Sequence, residues 1–179
     1  SACLVGSEMC IRDSSYSSNE KKGLSNPVVG RTIEDRDGNL WIGTEGGGLN
    51  YYNRRTREFK WYRPQEGRNS ISHNNVKALY YDADKEIIWI GTHLGGLNKL
   101  DIRSGHFTHY RMEEGNPNTL PSDIIRDIIP YKSLLIIATQ NGVCLFDPAN
   151  GQCQQLFKDS KEGKSIKMVA DVTFDSEGT

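Results

Sequence analysis

A short block of residues occurs twice in this chain. LWIGTEGGGLN runs from Leu40 to Asn50, and IWIGTHLGGLN runs from Ile88 to Asn98, 48 positions later. Trp41 maps to Trp89, Gly43 to Gly91, Thr44 to Thr92, and Gly48-Leu49-Asn50 to Gly96-Leu97-Asn98. A weathered third copy, LIIATQNGVCLFD, follows 47 positions on, with Ile136 for the Trp, Ala138 for the Gly and Thr139 in its place. A period of this size marks a repeat architecture, in which each unit buries its apolar faces only against its neighbours.

The residues within one unit read as four short strands. In the first, Val28 to Asp35 is extended, Asp37-Gly38-Asn39 is a tight-turn signal, and Leu40 to Thr44 alternates large residues. Gly46-Gly47-Gly48 reverses the chain into Leu49 to Asn53, Arg54 to Arg57 turns, and Glu58 to Arg63 is a fourth strand rich in aromatics. Pro64 to Asn74 is a polar link. The second unit repeats the plan over Asn75–Asp82, Ile87–Thr92, Gly96–Asp101 and His106–Arg111, with one extra residue in its first turn. The third covers Ile124–Pro130, Leu134–Thr139, Val143–Asp147 and Gln152–Phe157. From about Met168 a fourth begins, aligning Val169 with Val76.

Four strands in about 47 residues predict an all-β fold, a β-propeller whose blades are antiparallel meanders. No stretch shows a helical period of useful length. The predicted blades are 28–74, 75–123 and 124–167, with a partial blade at 168–179 and residues 24–179 together forming an incomplete propeller. Closed propellers have about four to eight blades, so this piece is expected to be an open arc with two raw faces. Residues 1–23 match nothing in the repeat. They read either as a disordered, Ser-rich leader or as non-native sequence, and stand outside the fold argument.

The totals exclude several function classes. A net charge of -1 gives no electrostatic case for nucleic acid or an anionic membrane. The longest strongly apolar run, Leu134 to Ala138, is far short of a membrane span. The four cysteines, 3, 10, 144 and 153, form no zinc-spaced pair. Cys144 and Cys153 are predicted on neighbouring strands, diagonal to each other. That is poor disulfide geometry, so they are read as small apolar fillers.

No catalytic set emerges. Asp35-Arg36-Asp37-Gly38-Asn39 begins like a calcium loop, but Leu40 stands where a Gly is needed and Gly46 where a Glu is needed. No Lys-Ser/Thr follows the glycines, so they read as turn residues and not a phosphate cradle. His73, His93, His106 and His109 form no arrangement with Ser and Asp. Nothing calls for a metal or a cofactor. Trp41 and Trp89 read as scaffold, buried between blades. Gly43 and Gly91 are read as permitting close approach of the next blade, and Thr44 and Thr92 as capping strand ends.

The acidic-DG turn, the LWIGT strand, Gly48-Leu49 and the Asn69-Ser70-Ile71-Ser72-His73-Asn74 link resemble the two-component regulator propeller repeat. Asn118-Thr119-Leu120-Pro121-Ser122-Asp123 is a second version of that link. The resemblance runs from Val28 to the end. It implies large propellers, often two in series, forming the periplasmic sensor half of hybrid histidine kinases, many of which sense glycan breakdown products. The implied function is a share in ligand recognition without catalysis. The alternatives are part of a propeller enzyme, a lyase or glycosidase, or a plain protein-interaction propeller. Implied partners are the remaining blades of the parent chain, an oligosaccharide ligand, and a second parent copy in a homodimer. Loop residues suited to sugar hydroxyls are Arg68, His73, Asn74, Glu113 and Asn116, and Trp61 and Tyr62 are candidates for stacking on a sugar ring. Each also reads as part of a solvated link or outer strand.

Overall fold

The computed structural model describes residues 22–156. The expectations for residues 1–21 and for a partial blade from 168 onward lie outside the described residues. Within them stand twelve strands. The first sheet comprises β1 (Val29–Glu34), β2 (Leu40–Thr44), β3 (Leu49–Asn53) and β4 (Glu58–Tyr62). The second comprises β5 (Val76–Asp82), β6 (Ile87–Thr92), β7 (Leu97–Asp101) and β8 (Phe107–Tyr110), and the third β9 (Ile125–Tyr131), β10 (Leu134–Thr139), β11 (Gly142–Phe146) and β12 (Cys153–Leu156). Each sheet is four-stranded and antiparallel, with its strands ordered as in sequence. β1 packs on β5 and β5 on β9, so the first strand of every sheet is innermost. This is an all-β, open and incomplete propeller, as the repeat predicts.

Strand ends differ from expectation by about a residue. Gly96 belongs to a turn and not to β7, because its φ of 69° is left-handed and its N–H reaches the Asp123 carbonyl at 2.9 Å. Gly48 is held the same way, with a φ of 80° and a 2.7 Å bond to the Asn74 carbonyl. His106 lies in the turn before β8.

Each sheet interlocks with the next through one contact. A methyl group on Gly43 would lie 2.6 Å from Val76 Cγ1, and one on Gly91 would lie 2.5 Å from Ile125 Cγ2. The absent side chain is thus the socket for a β-branched knob on the neighbouring inner strand. Val29 occupies the corresponding knob position in β1 but is 45% exposed, whereas Val76 and Ile125 are 0% exposed. The face of the first sheet is therefore open. Around each socket lies an apolar layer. Trp41, Leu49, Val76, Leu79, Ile88 and Ile90 fill the first junction, and Trp89, Leu97, Ile125, Ile137, Cys144 and Phe146 the second.

Polar ties secure the links. Ser25 and Asn50 exchange two bonds at 2.8 Å, from Ser25 N–H to Asn50 Oδ1 and from Asn50 Nδ2 to Ser25 Oγ. Ser72 and Asn98 repeat the exchange, again at 2.8 Å. In the third unit Pro121 stands in the Ser position and Cys144 in the Asn position, so both halves of the clasp are replaced together. Cys144 and Cys153 are free, buried thiols, as the filler reading expects. The register sets Cys144 opposite Gln155 and Cys153 opposite Phe146. Thr44, Thr92 and Thr139 each donate a hydroxyl to the carbonyl of the glycine closing the next turn, at 2.8 to 2.9 Å.

The links also belt the outermost strands. Asn69 Oδ1 accepts the Phe107 N–H at 2.8 Å, and the Asn118 carbonyl accepts the Cys153 N–H at 2.8 Å. Ahead of the first sheet, the Gly23 carbonyl accepts the Trp61 indole N–H at 2.9 Å. Each outer edge is thereby covered by the link that precedes its own sheet, which blocks edge-to-edge pairing.

Candidate functional site

One end of the sheets carries the β2–β3 turns together with both ends of every link. The other end carries only short hairpin turns. At the first end each inner strand is bulged at the same register point. The register shifts lie between Val29 and Thr32 in β1, between Val76 and Ala78 in β5, and opposite Ala138 and Thr139 in β9. Lys77 is therefore the extra residue of the β5 bulge, and Arg126 that of β9. A bulge re-aims side chains and interrupts pairing, which is why bulges gather near functional surfaces.

These bulges bring charge to the axial side. Arg31 Nη2 lies 3.3 Å from Asp127 Oδ1, joining the first sheet to the third past the inner strand of the second. Lys77 forms an ion pair with Glu45, a residue of the β2–β3 turn in the preceding sheet. That hydrogen bond and charge hold the Glu45 carboxyl below its ordinary range. The His73 and His93 rings meet edge to face, with centroids 6.5 Å apart. His73 Nδ1 accepts the Asn75 N–H at 3.1 Å, and burial followed by the charges of His93 and Arg111 lowers its pKa. Arg111 itself pairs with Asp123 at 3.5 Å.

The residues proposed from sequence fall in separate places. His73 and Asn74 lie at this loop end, where the Asn74 carbonyl accepts the N–H groups of Gly46 and Gly48. Arg68 sits in the exposed outer part of the first link, its guanidinium 3.4 Å from Gln65 Oε1. Glu113 and Asn116 meet in the second link, with Asn116 Nδ2 donating to Glu113 Oε2 at 2.9 Å. Tyr62 packs against Trp41 and Phe107, with ring centroids at 5.7 and 5.9 Å. Trp61 has the Arg63 guanidinium 4.6 Å over its ring. The structure therefore joins His73 with Asn74 and Glu113 with Asn116, but does not gather the set into one site. Glu45, Lys77, His93, Arg126, Arg31 and Asp127 were not singled out from sequence. Aligning the units at the residue after Val76 and Ile125 would have marked the two bulged cations.

The side chains gathered at this end offer charge and hydrogen-bonding groups. Among the described residues, no group of three or more His, Cys, Asp and Glu side chains could hold a metal ion. The Cys144 thiol is pushed well above its ordinary range by its hydrogen bond with Cys153 and by burial, which makes it a poor nucleophile. Two open hollows lie elsewhere. One of about 450 Å³ lies beside Leu134, Leu145 and Gln154, and one of about 500 Å³ beside Asn69, Lys99 and His106.

The two component regulator propeller family model matches residues 23–46 and 70–93. Each match spans the end of a link, an inner strand and the LWIGT-type strand. Comparison with curated proteins gives no match. Among solved structures, the extracellular domain of BT3049 from B. thetaiotaomicron, described as a hybrid two component system, superposes with a TM-score of 0.74 at 25% identity, over 84% of this chain and 21% of that one. The extracellular domain of BT4673 from the same organism, described both as a one component and as a hybrid two component system, superposes with TM-scores of 0.70 and 0.67 at 23% and 24% identity. Those matches cover 90% of this chain and 22% of the other. The chain thus spans about a fifth of the length of the structures it resembles. Two units of the chain thus match the two component regulator propeller family model, and a third is folded in the same register.

Proposed function

We propose that this chain is a run of blades from the sensor propeller of a two-component signalling protein, lying outside the cytoplasm and contributing to recognition of a glycan-derived ligand without catalysis of its own. The observation that carries the reading is the superposition of 84% of the chain on an extracellular domain described as part of a hybrid two component system. The geometry agrees with it. Polar side chains gather at the end of the sheets that carries the links, and the other end offers short turns. The knob position at Val29 remains exposed, and another blade of the same repeat, bearing a glycine socket, is its natural cover.

Calorimetric titration of the chain with neutral and acidic oligosaccharides tests the reading, with product analysis of the recovered sugar. Binding without turnover is the expected result. Cleavage of the sugar would favour the enzyme alternative, and absence of binding to every oligosaccharide would remove glycan recognition.

A further inference from the structure

The first and second inter-sheet junctions are built alike at the loop end but differ in one charge. Glu45, His93 and Gln140 are equivalent turn residues, because their N–H groups donate to the equivalent carbonyls of Val28, Asn75 and Ile124 at 3.0, 2.9 and 2.9 Å. Lys77 and Arg126 are equivalent bulge residues on the following inner strands. At the first junction the pair is Glu45 with Lys77, a closed ion pair. At the second junction the corresponding positions hold His93 and Arg126, and among the described residues no carboxylate forms an ion pair with either, although the Glu45 charge reaches His93.

Both members of that second pair carry an unanswered polar atom. Arg126 Nε and His93 Nδ1 are shielded from solvent and have no hydrogen-bond partner among the described residues. Among the described residues Arg126 makes no side-chain hydrogen bond or ion pair, and the nearby acids are committed, Glu45 to Lys77 and Asp127 to Arg31. A shielded guanidinium nitrogen without an acceptor is unfavourable, and few native polar groups are left so. Two such groups at one repeat position, where the sister junction holds a carboxylate, define what is complementary to them. Arginine takes a carboxylate or sulfate through parallel N–H bonds, and an imidazole N–H adds a third donor.

We infer that the junction between the second and third sheets binds an oxyanion, a carboxylate or sulfate carried by an acidic saccharide, through Arg126 and His93. This rests on the ligand-recognition reading above and narrows its ligand class. The ligand oxyanion takes the role that Glu45 plays one blade earlier. His73 lines the same place, with its Nδ1 already engaged by the backbone, so it contributes ring surface and its Nε2 side.

The test uses the whole chain with trigalacturonate, uncharged galactotriose and inorganic sulfate as probes, followed by calorimetry at low and moderate salt. Trigalacturonate is expected to bind, more weakly as salt rises. Arg126→Gln should weaken it about tenfold or more, and Arg126→Lys should restore part of the loss. A second variant needs no ligand. His93→Glu supplies the internal carboxylate, so it should raise Tm by about 3 °C while abolishing trigalacturonate binding. No rise in Tm would overturn the pairing of these positions. Galactotriose binding indifferent to Arg126→Gln, without a preference for the acid, would sink the oxyanion inference and leave glycan recognition standing. Sulfate binding that depends on Arg126, with neither sugar bound, would keep the anion site and remove the saccharide. Silence from all three probes would overturn both.

Discussion

Trp41 and Trp89 hold one position in two sheets and differ by a hydrogen bond. Both are almost wholly buried, at 2% and 1% exposure, in the layers between sheets. Trp41 Nε1 donates to Asp35 Oδ2 at 3.1 Å, while Trp89 Nε1 has no partner among the described residues. The cause is local. The second unit's first turn is one residue longer, and Asp82, which stands where Asp35 does, turns to the Lys85 N–H and ammonium, both at 3.2 Å. Replacing either indole by Phe loses comparable bulk, but only Trp41→Phe also loses a bond. Chemical denaturation should find Trp41→Phe more destabilising than Trp89→Phe by about 1 kcal/mol, since removing an unanswered donor offsets part of the second loss. Equal losses would show that a water molecule satisfies Trp89. The scaffold role of both residues was legible from their repeat spacing. The missing bond was not, because the extra turn residue shows in sequence while the rotation of Asp82 away from the indole does not.

At the scale of elements, the links do more than connect. Ser72 fixes the second sheet through Asn98, and Asn69 covers the edge of β8. Asn98 is fully buried, so Asn98→Ala leaves the Ser72 N–H without its acceptor and removes the donor to the Ser72 hydroxyl, which keeps its bond to the Gly95 carbonyl, and should cost about 2 kcal/mol. The third unit already shows the alternative, in which Pro121 supplies no N–H and Cys144 needs none. Combining Ser72→Pro with Asn98→Cys should therefore be less destabilising than the sum of the single changes, with a coupling of about 1 kcal/mol in a denaturation-based double-mutant cycle. Additive losses would mean that the paired replacement in the third unit is incidental. The strands themselves were readable to within a residue, since apolar alternation and turn residues are local signals. The clasps, the edge covers and the bulges were not. The clasps and edge covers join residues about 25 to 38 positions apart, and the bulges depend on the partner strand, so no period of a single strand encodes them. For the same reason the loop candidates scattered. Arg68, Glu113 and Asn116 were chosen for their polarity, but their links run outward along the rim, whereas the charged bulge residues lie inside apolar strands.

Over the whole molecule the three sheets stand in a row, and each inner strand packs on the next, β1 on β5 and β5 on β9. Among the described residues the direct tie between first and third sheets is one ion pair, between half-exposed Arg31 and buried Asp127, and a single pair screened on its Arg side contributes little. Stability should then behave as a chain of nearest-neighbour interfaces and not as one indivisible core. Gly91→Ala tests this. The added methyl would sit 2.5 Å from Ile125 Cγ2 and 2.9 Å from Ile125 Cβ, and neither the knob nor β6 can yield without opening the second junction. A cost of about 1–3 kcal/mol is expected for such overpacking. Amide hydrogen exchange should locate it, with faster exchange in β9 to β12 and little change in β1 to β4. Adding Ile125→Ala removes the branched carbons that clash and should return part of the protection, at the expense of some buried area. Gly43→Ala, whose methyl would meet Val76 Cγ1 at 2.6 Å, should instead loosen the first sheet against the other two. Uniform acceleration across all twelve strands in either variant would show that the sheets unfold as a single unit, and the nearest-neighbour picture would fail.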